Sequence, residues 1–528
     1  MPGVRPPSPT ETAANDPIGF YATFYRPGTQ EVDMHNFLTN MAKHMLDVVI
    51  WEQGYGDKHL ACCCFGKIST LPLHLMNSSL CSGSGSAELI SKAMSTALSD
   101  ALMKRFTHHI PLVAEVVKWK QMHLGANILH EHPDACVFNC CCALAKGAGV
   151  CVRGGNHTKC RLTSAMHSLV DKIGANYNDI LKGLTSGFSC KNFSRAHVNY
   201  AMLREAMAKD MTETTSVKTF RATVAIIEEL FEEGLLDFFV LENVDSIGDE
   251  HSELSNLTIV LDCLRSCCDG AFKVEIFRMF SPDYGLPQAR LRVYMVGIRD
   301  GDDSVFADAH DSLMGIGNLV GKLKVPMFPL SSLLEPAGSE VLAAELARRQ
   351  ESHKDQPVQM DQKWVREHMA ICEKKQLSWP LARPAALAVN AWFELASFRE
   401  QEQIIFGAIV GDPWTDSSQS TSRTRPDRLS SNKPTSFVPT LLPGAHFWSH
   451  ADGRFLIGQD MLSLQGIPGT ACAGMAENHK ADLAGNAFSS TCMLAIQLAI
   501  AGQVCGTKAA EMDIDDADQI SALMKAFR

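Results

Sequence analysis

The chain has 528 residues, of which 46% are hydrophobic and 20% are charged, as in an ordinary globular protein of two or three domains. No apolar run reaches membrane-spanning length, and the N-terminal segment "MPGVRPPSPTETAAND" lacks the apolar centre of a signal peptide. The net charge of -11 argues against a protein coated in nucleic acid, although a local basic cleft is all that binding requires.

The chain up to residue 70 carries no readable motif. We expect a disordered leader over residues 1–17 and an N-terminal extension over 18–70 with folded pieces such as "HMLDVVIW". From 71 to 300, short apolar runs alternate with amphipathic helical segments, and "LLDFFVLENV" has the composition of a buried parallel strand. This alternation predicts a sheet built from βαβ units, which is the α/β class.

After residue 300 the alternation weakens. Residues 301–452 are rich in Pro and Ser, and only "EVLAAELARRQES" is strongly helical, which predicts a separate, smaller domain. Residues 453–505 are ordered again and return to the first domain through a helix that we expect to end at Gly502. Residues 506–528 form an acidic tail.

The stretch "LCSGSGSAE" at 80–88 joins a predicted strand to a predicted helix. Gly83 and Gly85 would let the backbone turn tightly and approach a ligand at the positive end of the helix. Glu115, in "LVAEVVKWK", ends the next strand, where a carboxylate can accept hydrogen bonds from ribose hydroxyls. A plain connecting turn and a solvated glutamate are the alternatives. Together, at this spacing, the two features favour an adenosine-containing cofactor.

A second group of residues suggests covalent chemistry. Cys190 lies in the turn "GFSCKNFS", and Glu242 in "ENV" ends a buried strand at the edge of the sheet where ligands bind. In "YGLPQARLR", Gln288, Arg290 and Arg292 alternate, so an extended segment places them on one face. The alternatives are a buried structural thiol, a solvent-facing glutamate and an exposed basic edge strand.

Together with "LQGIP" and "GNAFSS", these motifs resemble, in order and spacing, those of the cytosine-5 DNA methyltransferase family. The resemblance covers about 75–300 and 453–500. It implies a Rossmann-like class I methyltransferase sheet with helices on both faces, and it places a target recognition domain in the 301–452 insert. It also implies S-adenosylmethionine as the methyl donor and DNA with a flipped cytosine as the partner.

The resemblance assigns roles to individual residues. Cys190 would add to C6 of cytosine, Glu242 would contact N3, Arg292 would contact O2, and Arg290 would steady the catalytic loop. The expected cofactor residues are Cys81, Gly83, Gly85, Glu115, Asn139, Cys140, Gly187 and Asn486. The expected substrate contacts are Ser194, Asn243 and Gln288.

Several positions depart from the family pattern. Ser189 and Lys191 flank the nucleophile where Pro and Gln are usual, and Cys81 takes the place of an aromatic in the cofactor turn. These departures leave open a catalytically weakened DNA-binding relative. An enzyme that methylates cytosine in RNA is a second alternative, because one branch of the family that this chain resembles modifies transfer RNA.

Cysteine usage bears on location and metals. The 18 cysteines, with no sign of secretion, predict reduced thiols in the nucleus or, failing that, the cytoplasm; no strong nuclear import cluster is visible. The cysteine-rich segments lack the CxxC spacing of a zinc knuckle, so we expect no metal site.

Overall fold

The computed structural model describes residues 8–52, 74–81, 85–102, 106–153, 161–174, 180–191, 193, 215–249, 255–306, 308–353, 361–418 and 436–510. Its helices are α1 Pro9–Asn15, α2 Pro17–Ala22, α3 Phe37–Glu52, α4 Ser86–Leu102, α5 Lys118–Glu131, α6 Cys141–Leu144, α7 Leu162–Ile173, α8 Thr215–Glu232, α9 Asn256–Ser266, α10 Ala309–Lys322, α11 Glu340–His353, α12 Gln362–Lys374, α13 Ala391–Glu394, α14 Phe398–Val410, α15 Gly458–Ser463, α16 Glu477–Asn486 and α17 Ser490–Ala510. Its strands are β1 His74–Leu80, β2 Thr107–His109, β3 Leu112–Ala114, β4 Cys136–Phe138, β5 Ile180–Ser186, β6 Phe238–Val244, β7 Phe272–Phe280, β8 Gln288–Ala289, β9 Leu291–Arg299, β10 Trp414–Asp416, β11 Val438–Pro439, β12 Phe447–Ser449 and β13 Arg454–Phe455.

A mostly parallel sheet organises the first part of the chain. Among the described residues it has eight strands, in the order β4-β3-β1-β5-β6-β9-β7, with β2 paired to β1. Strands β4, β3, β1, β5 and β6 run parallel to one another, and β9 runs antiparallel to both β6 and β7. The predicted α/β class with a Rossmann-like sheet is therefore confirmed.

Helices cover both faces of this sheet. Along β6, Phe238 and Val240 pack into one hydrophobic cluster with residues of α3, α4, α10 and α17. The alternate residues Phe239 and Leu241 pack into a second cluster with residues of α7, α8 and α9. This alternation is the period of a strand that is buried on both faces, and it explains why "FFVLENV" contains an unbroken apolar run.

The expectation of a disordered leader over 1–17 is wrong for Pro9–Asn15, which form a helix. Ser8 caps that helix through a capping box with Glu11, and Ala13 is buried in the main core. The Thr10 hydroxyl also donates a hydrogen bond to the Lys322 carbonyl at 2.8 Å. Within the following extension, α3 packs against α4 and α17, so the N-terminal region is part of the core.

The segment 301–452 contains more helix than we expected. Besides the predicted helix, now α11, it forms α10, α12 and α14, so the expectation of a single helical stretch is wrong. Helix α10 packs on α17 and β7 in the main core. A separate cluster joins α12 and α14 to Trp448 and Phe455 of the small sheet β10-β12-β13. The assignment of a target recognition domain to 301–452 stays a prediction.

The last helix runs to Ala510, beyond both the expected end at Gly502 and the expected start of the acidic tail at 506. A Cβ at Gly502 would lie 2.7 Å from Val49 Cγ1, so this glycine allows α3 and α17 to approach closely and does not end the helix.

Among the described residues no single helix is long and apolar enough to span a membrane. The bent helix pair Glu477–Asn486 and Ser490–Val504 reaches the length and apolar composition of a membrane span, on those two criteria alone. Residues 511–528 lie outside the described part.

Candidate active site

Four neighbouring parallel strands end at one edge of the sheet. These strands, β4, β3, β1 and β5, lie side by side. The residues that directly follow them are the predicted cofactor residues Asn139 and Cys140, Glu115, Cys81 and Gly187. The carboxyl edge of a parallel sheet is where α/β proteins bind ligands. The fold therefore brings these five predicted residues to one edge.

The two described residues that flank the turn after β1, Cys81 and Gly85, have positive φ angles. Cys81 has φ +56°, and its N–H donates to the Ala114 carbonyl at 2.8 Å. Gly85 has φ +71°, and its carbonyl accepts the Leu89 N–H at 3.1 Å at the start of α4. The positive φ at Gly85 is a conformation that favours glycine. Gly83 lies outside the described residues.

Glu115 is held at the end of β3. It is 7% exposed, and its Oε1 accepts the Val117 N–H at 2.9 Å. Gln121, which the sequence did not single out, donates from Nε2 to the Glu115 carbonyl at 2.6 Å and to the Asn139 carbonyl at 3.3 Å. Gln121 thus ties the ends of β3 and β4 together. Beside it lies an open cavity of about 670 Å³ that Val116, Gln121 and Asn139 help to line.

Gly187 marks a close approach of two segments. Its N–H donates to the Leu80 carbonyl at 3.3 Å, and a Cβ on this residue would lie 2.9 Å from Phe488 Cε1. Phe488 is therefore a missed site residue, although it belongs to the quoted motif "GNAFSS". Asn486 ends helix α16, is exposed, and donates from Nδ2 to the Asp482 carbonyl at 2.7 Å. Its role in binding the cofactor stays a prediction.

The segment around Cys190 follows β5 and is held by hydrogen bonds from other elements. Asn243 is fully buried, and its Nδ2 donates to the Phe188 carbonyl at 3.1 Å. The Ser189 N–H donates to Thr219 Oγ1 at 3.0 Å. Asn243 Oδ1 accepts the Val244 N–H at 2.9 Å, and the Nδ2 contact positions the segment before Cys190. The predicted contact of Asn243 with substrate remains untested.

Two phenylalanines anchor the same segment in the core. Phe188 and Phe193 are buried, and their ring centroids lie 6.3 Å apart in an edge-to-face arrangement. The Ser246 hydroxyl donates to the Phe193 carbonyl at 2.6 Å. Thr219 and Ser246, like Gln121, were missed because nothing in a local sequence pattern indicates a contact across the sheet. Ser194 lies outside the described residues.

A buried charged cluster lies on β6 and β9. These strands are antiparallel, with Val244 opposite Arg292, so Glu242 is a diagonal neighbour of Arg292. Arg292 Nε lies 2.9 Å and Arg290 Nη2 lies 3.8 Å from Glu242 Oε1. Arg290 and Arg292 are 3% and 8% exposed, which excludes the alternative of a solvated basic edge strand.

The charges of Glu242, Arg290 and Arg292 shift the pKa of the Cys190 thiol. Burial raises the pKa of Cys190, the Glu242 carboxylate raises it further, and Arg292 and Arg290 oppose the increase. Burial also lowers the pKa of Arg290 to about 10, with Arg292 contributing and Glu242 opposing. Arg290 is therefore still a cation near neutral pH, and the resting thiol of Cys190 is protonated.

Arg290 also connects distant segments. Its Nη2 donates to the Ala487 carbonyl at 2.6 Å and its Nη1 to the Leu441 carbonyl at 3.4 Å. Gln288 is fully buried, and its Nε2 donates to the Leu464 carbonyl at 3.5 Å. The structure therefore places Gln288 in the packing behind the site, and its predicted contact with substrate stays untested.

One comparison with known proteins identifies the family. A family model described as C-5 cytosine-specific DNA methylase matches residues 164–501. A Spodoptera frugiperda DNMT2 mutant is 13% identical with a TM-score of 0.37, and the match covers 81% of this chain and 99% of that chain. A putative DNA modification methyltransferase encoded within an Escherichia coli prophage is 14% identical with a TM-score of 0.37, covering 81% and 98%. The Schizosaccharomyces pombe Dnmt2 methyltransferase is 11% identical with a TM-score of 0.38, covering 80% and 97%. A search of curated proteins gave no match. Structural likenesses this weak carry no argument about substrate.

Proposed function

Because the chain belongs to the C-5 cytosine-specific DNA methylase family, whose methyl donor is S-adenosylmethionine, we propose that it methylates cytosine C5 in DNA through a covalent bond from Cys190 to C6. The observation that carries this proposal is the cluster of Glu242, Arg290 and Arg292 acting on Cys190. A thiol beside a carboxylate and two guanidinium groups has the groups that this chemistry needs.

The thiol has to supply electrons to a ring that is otherwise unreactive. Cytosine C5 is a poor nucleophile, but a bond from the Cys190 sulfur to C6 converts C5 into the nucleophilic carbon of an enamine. C5 then takes the methyl group, loses its hydrogen as a proton, and the sulfur–C6 bond breaks to restore the cysteine. Because burial and Glu242 raise the Cys190 pKa, the resting thiol is protonated, and its proton has to pass to a base or to water before the sulfur can bond to C6.

Glu242 and the arginines would stabilise the adduct. Glu242 would take up a proton from solvent and share it with N3, so that the charge that develops on the ring is neutralised as sulfur adds. Arg292 would donate to O2. Arg290, fixed by two backbone carbonyls, would keep Glu242 and Arg292 in place. Their burial means that these charges act in a medium that screens them less than water does.

The carboxyl edge of the sheet fits the methyl donor. Glu115 Oε1 already accepts the Val117 N–H, and Oε2 would accept a ribose hydroxyl. The exposed side chain of Val116 borders the adjacent cavity and would pack against the adenine. Cys81, Gly85 and Gly187 would surround the amino-acid end of the donor. The donor supplies an electrophilic methyl group on a sulfonium.

Two features support DNA as the substrate. The description of the matching family names DNA. The segment 301–452 contributes most of a hydrophobic cluster around α12 and α14, separate from the main core, as an inserted domain that contacts DNA would. The target base would leave the helix to reach Cys190 because that residue lies half-buried in the segment that follows β5.

The test is incubation of the protein with tritiated S-adenosylmethionine and a mixture of DNA and RNA, followed by nucleoside analysis. We expect label in 5-methyldeoxycytidine, lost in Cys190→Ser and retained in Cys263→Ser, which changes a half-buried cysteine on α9. Label only in 5-methylcytidine would replace DNA with RNA as substrate. No label in either nucleoside would support a catalytically weakened relative.

A further inference from the structure

Two histidines and a glutamate, none of them used above, meet near the end of the sheet where β1 begins. His108 lies on β2, Glu131 is the last residue of α5, and His132 follows it. Nε2 of His108 and Nε2 of His132 are 3.2 Å apart, and one ligand atom of each of the three residues lies within 4.8 Å of the other two. Residues on a strand and at a helix end, far apart in sequence, thus converge on one point.

We propose that His108, Glu131 and His132 bind a divalent transition-metal ion, with Zn²⁺ as the best fit. Two imidazole nitrogens and one carboxylate oxygen form a three-ligand set that zinc sites use, and it leaves a fourth position open. Two nitrogens bound tetrahedrally at 2.0–2.1 Å from one zinc ion lie about 3.3 Å apart. The observed separation of 3.2 Å therefore needs almost no rearrangement.

The surroundings allow an ion to enter. The three residues line a cavity of about 420 Å³ that also contains His35, Gly85 and Asn127. Without metal, Lys92 forms an ion pair with Glu131, and half of the Lys92 side chain is exposed, so the ammonium can move into solvent when a metal ion replaces it.

A bound ion would connect β2 to the end of α5. The chain between them contains Glu115, and α5 begins just after it at Lys118. Metal binding would therefore hold the helix that follows the predicted ribose-binding carboxylate. No local sequence pattern indicates this site, because its ligands come from two separate elements of the fold.

The test is titration of chelator-treated protein with Zn²⁺ against a chromophoric competitor, repeated with Co²⁺ for its absorption spectrum. We expect affinity at this site to fall by more than about 10-fold in His108→Ala, His132→Ala and Glu131→Gln, since even loss of an outer-shell partner costs 10–100-fold. The cobalt band assigned to this site should lack sulfur charge transfer, which separates it from the cysteines.

His109→Ala and His130→Ala are the matched controls. His109 faces His74 Nδ1, 3.2 Å from its Nε2, on the other side of β2, and His130 is exposed. Both should bind metal like the wild type. Equal stoichiometry and affinity in wild type and in the His108→Ala/His132→Ala double variant would overturn the proposal, as would a cobalt spectrum with sulfur ligation alone. Glu131 is exposed, so Glu131→Gln provides the test if the histidine variants fail to fold.

Discussion

Replacing Glu242 by Gln should destabilise the protein and also lower the pKa of the Cys190 thiol. The side chains of Glu242, Arg290 and Arg292 are 12%, 4% and 10% exposed, so the variant leaves two buried cations without this counter-charge. Removing one partner of a buried ion pair costs about 3–5 kcal/mol, and the polar amide should keep the loss near the lower value. Glu31→Gln is the control, because its pair with Arg26 is exposed and is worth at most about 1 kcal/mol.

The same substitution should make the Cys190 thiol easier to alkylate while it slows methyl transfer. The Glu242 charge raises the Cys190 pKa, so the neutral variant should lower that pKa and shift alkylation of Cys190 to lower pH. Methyl transfer should nevertheless fall by about 10²–10⁴, the usual contribution of a general acid. Urea unfolding, mass spectrometry of the iodoacetamide-treated Cys190 peptide and kcat/KM measure the three effects. An unchanged alkylation profile would refute the electrostatic coupling of Glu242 to Cys190.

Three further substitutions test the surroundings of the site. Glu115→Ala should weaken S-adenosylmethionine binding by about 1–3 kcal/mol in isothermal titration, and an unchanged affinity would place the ribose elsewhere. Asn243→Ala leaves the Phe188 carbonyl without its side-chain donor, so the free energy of unfolding should fall by about 1–3 kcal/mol and kcat should fall with it; wild-type kcat would show that this hydrogen bond does not position the thiol. Gly187→Ala places a methyl group 2.9 Å from Phe488 Cε1 and should cost about 1–3 kcal/mol of stability, with recovery in the double variant Gly187→Ala/Phe488→Leu; the absence of any loss would mean that the ring moves freely.

The sheet could be predicted because the pattern of apolar residues along a strand shows which of its faces are buried. The run in β6 is apolar because its residues alternate between two buried faces, which a sequence pattern records directly. Helix α10 was missed because glycines interrupt its pattern and lower helix propensity. In the folded protein a Cβ at Gly315 would lie 2.4 Å from Gln503 Oε1, and one at Gly317 would lie 3.2 Å from Phe277 Cε1. The glycines that weaken the helical pattern in the sequence therefore allow α10 to pack closely against α17 and β7.

The site was predictable only in part. The residues that follow strands β1, β3, β4 and β5 were recognised from motifs, and parallel pairing explains why they meet at one edge. The supporting contacts were not predictable, because Asn243 reaches the Phe188 carbonyl and Ser246 reaches the Phe193 carbonyl across more than fifty residues of sequence. Such contacts depend on the order of strands, which no local pattern contains.

Covalent trapping tests the central claim most directly. DNA that carries 5-fluorocytosine cannot lose a proton from C5 after methyl transfer, so the bond between sulfur and C6 should persist. With S-adenosylmethionine present, we predict a denaturation-resistant protein–DNA adduct whose cross-linked peptide contains Cys190, and no adduct in Cys190→Ser. An adduct of equal yield in Cys190→Ser, or methylation of ordinary DNA by that variant, would contradict the proposed role of Cys190.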